Sequence, residues 1–231
     1  MPNDRLPRIR LGARDQALLH LLTEKVPVLS LRQIADTFFA GDKGNAVRSL
    51  SRMFNRQLLS SQQLSARTPP AMAAPLAVWK PGQNPPSATR LSYQLCRRWA
   101  QQGVRSRQCY LIGPRYGALT GISNPGQLRR PLQASHELAL ANLYLHFRTR
   151  RPTDAKCWLA EHAYRHPHWQ ERLISIEGSP FPMIGQKPDV VLVDENGVVT
   201  KAIELGGLYN AKRLERFHRW CQRRRLPYEI W

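Results

Sequence analysis

An α+β fold is predicted by two observations. Residues 10–84 carry apolar positions at helical spacing in three successive short stretches, followed by short segments that read as strands. Residues 131–231 mix helical stretches with β-branched runs and finish as strand, Asn-Gly turn, strand, helix and strand, which gives an α/β core with a mixed sheet. Between them, residues 85–130 form a connecting helix and an irregular segment.

The first helix covers Arg14–Glu24, with Ala17, Leu18, Leu21 and Leu22 recurring on one face. A break at Val26-Pro27 follows. Ser30 stands at an N-cap position before SLRQIADTFFA, which puts Leu31, Ile34, Ala35 and Phe38 together. GDKG is a turn. Asn45 is placed to cap a third helix, NAVRSLSRMFNRQLL, with Val47, Leu50, Phe54 and Leu58 inward. SQQLSAR and PLAVWKP, joined by TPPAMAA, read as two strands around a flexible loop. Three short helices and a hairpin make the winged helix-turn-helix pattern, whose third helix enters the major groove of DNA.

The outward face of that third helix carries Arg48, Arg52 and Arg56, four residues apart and so on one stripe. A charged stripe is in general a solvated face. Here it falls on the helix assigned to DNA, in a chain whose 35 Lys and Arg outweigh 16 Asp and Glu for a net charge of +19. Such an excess points to a polyanionic partner, because each phosphate neutralised releases counterions. Many of the cations are arginines in pairs and runs: Arg97-Arg98, Arg129-Arg130, Arg150-Arg151 and Arg223 to Arg225. Their planar forks match two phosphate oxygens. Double-stranded DNA is therefore the expected partner, met by Lys43, Asn45, Arg48, Arg52 and Arg56 on the helix and by Arg67 and Lys80 on the wing. An anionic membrane surface is the competing partner, but no basic helix has the wide apolar face it needs.

MPNDRLPRIR has no apolar stretch of the signal-peptide kind, and no apolar run approaches the ~18 residues of a membrane span. A cytoplasmic, nucleoid-associated protein is expected. Cys96, Cys109, Cys157 and Cys221 lie far apart with no CxxC pair, which argues against structural zinc and a disulfide framework.

The proline-rich KPGQNPPS closes the first region. The helix ATRLSYQLCRRWAQQ follows, then CYLIGPRYGALTGI, read as short strands broken by glycine and proline. SHELALANLYLHFRTR is a helix with Leu138, Ala141 and Leu145 on an inner side and Ala139 and Asn142 on an outer one. KCWLAEHAYR is read as a strand carrying Glu161. ERLISIEG and KPDVVLVD are read as further strands.

Counting back from Asn196-Gly197 as a two-residue turn pairs Glu195 with Val198, Val193 with Thr200, Val191 with Ala202, and Asp189 with Glu204. Directly opposed carboxylates repel unless a cation, proton or lysine offsets them. Metal-assisted phosphodiester cleavage needs carboxylates that converge from separate elements on a hard cation. Two solvent-facing acids at a sheet edge are the plainer alternative. His162, His166 and His168 also lie close in sequence, but HPH lacks the helical spacing of a metal site.

Pro188-Asp189 followed by Glu204-Leu205-Gly206 resembles the PD-(D/E)xK nuclease superfamily, with Glu137 as the extra acid on the preceding helix. More narrowly, SHELALANLYL, WLAEHAYR, KPDVVLVDENG and AIELGGLYNAKRLERF behind a winged helix resemble the replication-relaxation family of mobile genetic elements. The resemblance spans most of the chain and is weakest over residues 80–130. It implies a winged helix joined to a degenerate nuclease-like domain. The biology it implies is that of a plasmid or integrative element: mobilisation, replication or control of transfer genes. Relaxase, transposase or replication proteins are the protein partners that go with it. A homodimer is the form in which winged helices often meet palindromes, though no dimer helix is visible.

One departure bears on activity. The lysine two residues after the strand glutamate of active superfamily members is Gly206 here. Lys201, at an odd offset from Glu204, points to the other face of the strand. Lys212, on the following helix, is the remaining substitute. Gly206 and Gly207 suit a close approach of backbone or ligand. In an active enzyme Asp189 and Glu204 would ligate Mg²⁺ or Mn²⁺, Glu137 or Glu161 would assist, and Lys212 would be the displaced lysine. Without the lysine, the expectation is a DNA-binding protein that requires no cofactor. The last helix carries a basic stripe, Lys212, Arg216, Arg219 and Arg223, and an apolar one, Leu214, Phe217 and Cys221. The basic stripe is suited to phosphates.

Overall fold

The computed structural model describes residues 11–122, 125–128, 133–181 and 187–231. Residues 1–10, the Arg129-Arg130 pair and the 130/131 domain boundary lie outside them. The described residues form an α+β fold with one antiparallel and one mixed sheet.

The chain opens with α1 (Ala13–His20), which runs on through a π-type turn at Leu21–Lys25. A short strand, β1 (Leu29–Ser30), leads into α2 (Leu31–Phe38). Ser30 caps α2 as its sequence requires: its hydroxyl accepts from Gln33 N (3.3 Å), and Gln33 Oε1 accepts from Ser30 N (2.8 Å). The next helix, α3, spans Lys43–Asn55. Its N-cap is Asp42 rather than Asn45: Asp42 Oδ1 accepts from Asn45 N at 2.9 Å. The inward face is also one step out of phase with the sequence reading. Ala46, Leu50 and Met53 are buried, while Val47 and Phe54 are 42% and 49% exposed.

The hairpin differs from its expected form. β2 (Leu59–Arg67) pairs antiparallel with β4 (Val104–Ile112), from Leu59↔Ile112 to Arg67↔Val104, and β4 also pairs with β1. The PLAVWKP segment does become a strand, β3 (Ala77–Trp79), but it pairs with the terminal strand β8 (Tyr228–Ile230). Residues 68–103 are thus an excursion between the two hairpin strands. They deliver β3 to the second sheet and α4 (Ala88–Ala100) against the last helix, α10 (Ala211–Gln222). CYLIGPRYGALTGI supplies the end of β4 and then a helix, α5 (Pro114–Thr120), with proline at its first turn.

The second sheet comprises β3, β8, β7 (Val199–Glu204), β6 (Val190–Val193) and β5 (Trp158–Ala160), in that order. It is antiparallel throughout except where β7 (Val199–Glu204) runs parallel to β8. β5 (Trp158–Ala160) is shorter than the sequence reading. Glu161 opens a one-turn helix, α8 (Glu161–Tyr164), and α9 (Pro167–Gln170) follows. ERLISIEG contributes only an isolated bridge at Ile174. β6 (Val190–Val193) pairs with β7 in the anticipated register at Val191↔Ala202, then shifts to Val193↔Val199. The cause is the turn. Asp194 N–H bonds Val198 O (3.0 Å) around three residues, with Gly197 in the left-handed region at φ +83°.

α6 (Ala134–Arg150) lies against β1 and β2 of the first sheet and against α7 (Pro152–Cys157). Its core shares one cluster with strands of the second sheet, among them Val190, Leu192 and Ile203. It has no outer side in the sense the sequence suggested. Leu138, Ala139, Leu140, Ala141, Leu143, Tyr144 and Phe147 are all buried, as befits a helix apolar nearly all round. Gln33 Nε2 donates to Leu138 O (3.1 Å) and Asn142 Oδ1 (2.6 Å), tying α2 to it.

Candidate functional site

Two regions concentrate charge. The first is the outer face of α3. With Ala46, Leu50 and Met53 committed to the core, Arg48, Arg52 and Arg56 are left exposed on the opposite side. Arg48 Nη2 donates to Asn45 Oδ1 (2.6 Å), and Asn45 is itself held by the Asp42 carboxylate. Among the described residues, the side chains of Lys43, Arg52 and Arg56 enter no hydrogen bond or ion pair. The helix ends at Arg56, ahead of Gln57 in the left-handed region at φ 57°. Val47 and Phe54, about a quarter-turn or more round the helix from that stripe, are exposed apolar residues that the inward assignment hid.

The residues expected on the wing fare differently. Arg67 is half-buried, and its Nη1 donates to Gln102 O (2.8 Å) at the end of α4. Its backbone N–H bonds Ser135 Oγ at 2.9 Å. That guanidinium holds the hairpin to its neighbours. Lys80 follows β3 and so sits beside the five-stranded sheet, not on the hairpin. The exposed cation at the far end of the β2–β4 ladder is Arg105, which lies opposite Ala66.

The second region is the carboxylate site, where β6 and β7 bring Asp189 and Glu204 together. Asp189 enters β6 just before Val190, and Val190 pairs with Ile203. Asp189 N donates to Glu204 Oε2 at 3.2 Å, and Asp189 Oδ2 accepts from Leu205 N at 2.8 Å. Glu204 is 1% exposed. His136, in the first turn of α6, reaches into the same place. Its Nε2 stands 3.2 Å from Asp189 Oδ2 and 3.0 Å from Leu205 O. Arg213 Nη2 approaches Glu204 Oε1 at 3.9 Å, donates to Tyr209 OH (2.8 Å), and lies over the Tyr209 ring. His136 and Arg213 are the partners sequence reasoning missed. His136 immediately precedes the Glu137 that was chosen.

The remaining expected members sit at the periphery. Glu137 Oε1 is 4.0 Å from His136 Nδ1. Glu161 N bonds Asp189 O (2.8 Å), while its carboxylate pairs with Arg165. Lys212 is exposed on α10 and makes no ion pair with the carboxylates among the described contacts. Lys201 lies on the opposite face of β7, as anticipated, and donates to Glu229 Oε1 at 3.0 Å. Arg151 binds that same carboxylate through two nitrogens, at 2.7 and 2.8 Å.

The position of the missing lysine is filled by α4. A Cβ on Gly206 would lie 2.4 Å from Leu95 Cδ2. Gly206 O accepts from Trp99 Nε1 at 2.7 Å, and Gly206 N donates to Trp231 O at 3.0 Å. The close approach that glycine permits is that of a helix, not of a ligand.

Electrostatics follow from this enclosure. Burial, reinforced by the Asp189 charge, pushes the Glu204 carboxyl well above its ordinary range. Burial raises Glu137 to about 7 against the opposing pull of His136. For His136, burial works against the charged ring, but the Asp189 carboxylate more than offsets it and holds the imidazole up at about 10. Half-buried His162, with Nε2 at 3.3 Å from Leu22 O, is driven down to about 4 by loss of solvent around its ring. Among the described residues no group of three or more His, Cys, Asp or Glu side chains is placed to hold a metal ion.

The apolar stripe of α10 is buried at Leu214, Phe217 and Cys221, and its basic stripe at Lys212, Arg216, Arg219 and Arg223 is exposed. No described helix is long and apolar enough to cross a membrane. In comparisons with known proteins, the chain matches no family model, no curated protein and no solved structure.

Proposed function

We propose that this protein binds double-stranded DNA through a winged-helix face centred on α3, and that its second region is a PD-(D/E)xK-like domain that does not cut. The observation that carries this reading is the set of exposed arginines on α3. Arg48, Arg52 and Arg56 share one stripe, and the side chains of two of them have no partner among the described residues. Long cations left unpaired on one helix, in a chain of net charge +19, suit phosphates and guanine edges. Arg105 on the hairpin and the α10 stripe are further cations for backbone contact. The resemblance to replication-relaxation proteins supports a role in a plasmid or integrative element, in mobilisation, replication or transcription control.

Fluorescence anisotropy with random-sequence and selected duplexes in EDTA tests the reading. Binding that survives chelation and weakens in Arg52→Ala by roughly 1–3 kcal/mol at a preferred site is the expected result. Unchanged affinity in that variant contradicts it.

The competing reading is a Mg²⁺- or Mn²⁺-dependent endonuclease, favoured by one observation: Asp189 and Glu204 do meet, from adjacent strands. Incubating supercoiled plasmid with the protein and Mn²⁺, beside Asp189→Ala, separates the two. Nicking that disappears in the variant establishes the enzyme.

A further inference from the structure

Two oxygens converge on one nitrogen in the carboxylate site. His136 Nε2 is 3.2 Å from Asp189 Oδ2 and 3.0 Å from the Leu205 carbonyl oxygen. Asp189 Oδ2 and Leu205 O both face the point that Nε2 occupies, and carboxylate and carbonyl oxygens are the donors a hard cation takes, with the Glu204 carboxylate beside them. As they stand, these residues do not fit a resident divalent ion. Asp189 Oδ2 already takes the Leu205 N–H (2.8 Å), and Glu204 Oε2 takes the Asp189 N–H (3.2 Å). Glu204 Oε1 faces Arg213 (3.9 Å). The imidazole Nε2 stands within 3.2 Å of both Asp189 Oδ2 and Leu205 O. A ring nitrogen that carries its hydrogen is a donor to these oxygens and not a ligand to a metal.

We propose that His136 is a built-in plug: its Nε2–H takes the place of a divalent cation between Asp189 Oδ2 and the Leu205 carbonyl, and its removal opens a latent cation site there. Three features of the chain make the plug durable. The body of α6 is buried at Leu138, Ala139, Leu140, Ala141, Leu143, Tyr144 and Phe147, which anchors the helix that presents His136. The adjacent Ser135 accepts the Arg67 N–H, which fixes the first turn of α6 to the hairpin (2.9 Å). α4 closes the opposite side through Leu95 and Trp99 at Gly206. Removing the ring leaves two buried carboxylates and a carbonyl around a space open to water, which a hard cation can enter. This inference does not depend on DNA binding.

The test is Mn²⁺ titration of the full chain, without DNA, followed by the electron paramagnetic resonance of free Mn²⁺. His136→Ala is expected to bind one Mn²⁺ at least about 10-fold more tightly than the wild-type chain. Adding Asp189→Ala to it should abolish that binding. Mn²⁺ should also raise the melting temperature of His136→Ala and leave the wild type unmoved. Should His136→Ala fail to fold, His136→Gln replaces it, because the amide oxygen is itself a hard donor and should give the same gain. Wild-type binding that is lost in the variant overturns the proposal by making His136 a ligand. Equal binding in both proteins overturns it, and so does no binding in a folded variant.

Discussion

The α3 face and the carboxylate site hold opposite charges in opposite ways. On α3 the cations are long, exposed and largely without side-chain partners among the described residues. In the site, every charge is answered internally: Asp189 by His136 and Leu205 N–H, Glu204 by Asp189 N–H and Arg213. A charge left open at the surface costs little and waits for an external partner. A buried charge must be satisfied by the fold itself, and once satisfied it has little to offer a ligand. On the proposed function, recognition falls to the first region and architecture to the second.

Substitutions in the site should therefore act on stability and not on DNA. Asp189→Ala, which leaves the His136 charge and the Leu205 N–H without their partner, should cost about 3–5 kcal/mol in urea unfolding. Its duplex affinity, measured well below the melting temperature, should stay at the wild-type value. A loss of affinity larger than the loss of folded protein would break the division of roles. Gly206→Ala should cost about 1–3 kcal/mol, because the added Cβ meets Leu95. Restoring the lysine there should cost more and give no nuclease activity.

The Arg151–Glu229–Lys201 cluster on the opposite face of the sheet gives the same argument a pH axis. Although burial opposes its charge, hydrogen bonds from Arg151 and Lys201 hold the Glu229 carboxyl down at about 2, against an ordinary value of 4.5. A depressed carboxyl stabilises the fold fully above pH 4.5, and that contribution drains away as pH falls toward about 2. The stability difference between wild type and Glu229→Gln should accordingly shrink over that window by on the order of 2–3 kcal/mol. A difference independent of pH would mean the cluster is not charged. Arg52→Ala completes the series at the exposed extreme, with a stability change within about 0.5 kcal/mol and all of its effect in binding.

Much of the α3 region was legible because short-range rules govern it. Ser30 as a cap, the Arg48–Arg52–Arg56 stripe and the exposed basic side of α10 all follow from local spacing. The inward phase of α3 was misjudged because Val47 and Phe54 are apolar yet exposed. Hydrophobic periodicity reads such residues as core whatever their task. In the site, the Asp189–Glu204 proximity was legible from the hairpin, even though a three-residue turn shifted the register near Gly197. His136 and the α4 lid were not. His136 comes from a helix more than fifty positions away, and α4 arrives by an excursion that parts the strands of another sheet. Nothing in the spacing around Leu95 or Trp99 announces Gly206 as their contact. Long-range packing decides such pairs.

The most direct test of the account is the salt dependence of duplex affinity for the wild type and for a variant with Arg48, Arg52 and Arg56 all changed to alanine, both in EDTA. Each lost phosphate contact removes about 0.9 from the slope of log K against log salt for B-form DNA. The account predicts a clearly shallower slope for the triple variant, weaker binding, and an unchanged melting temperature. Identical slopes and affinities in a folded triple variant would contradict it.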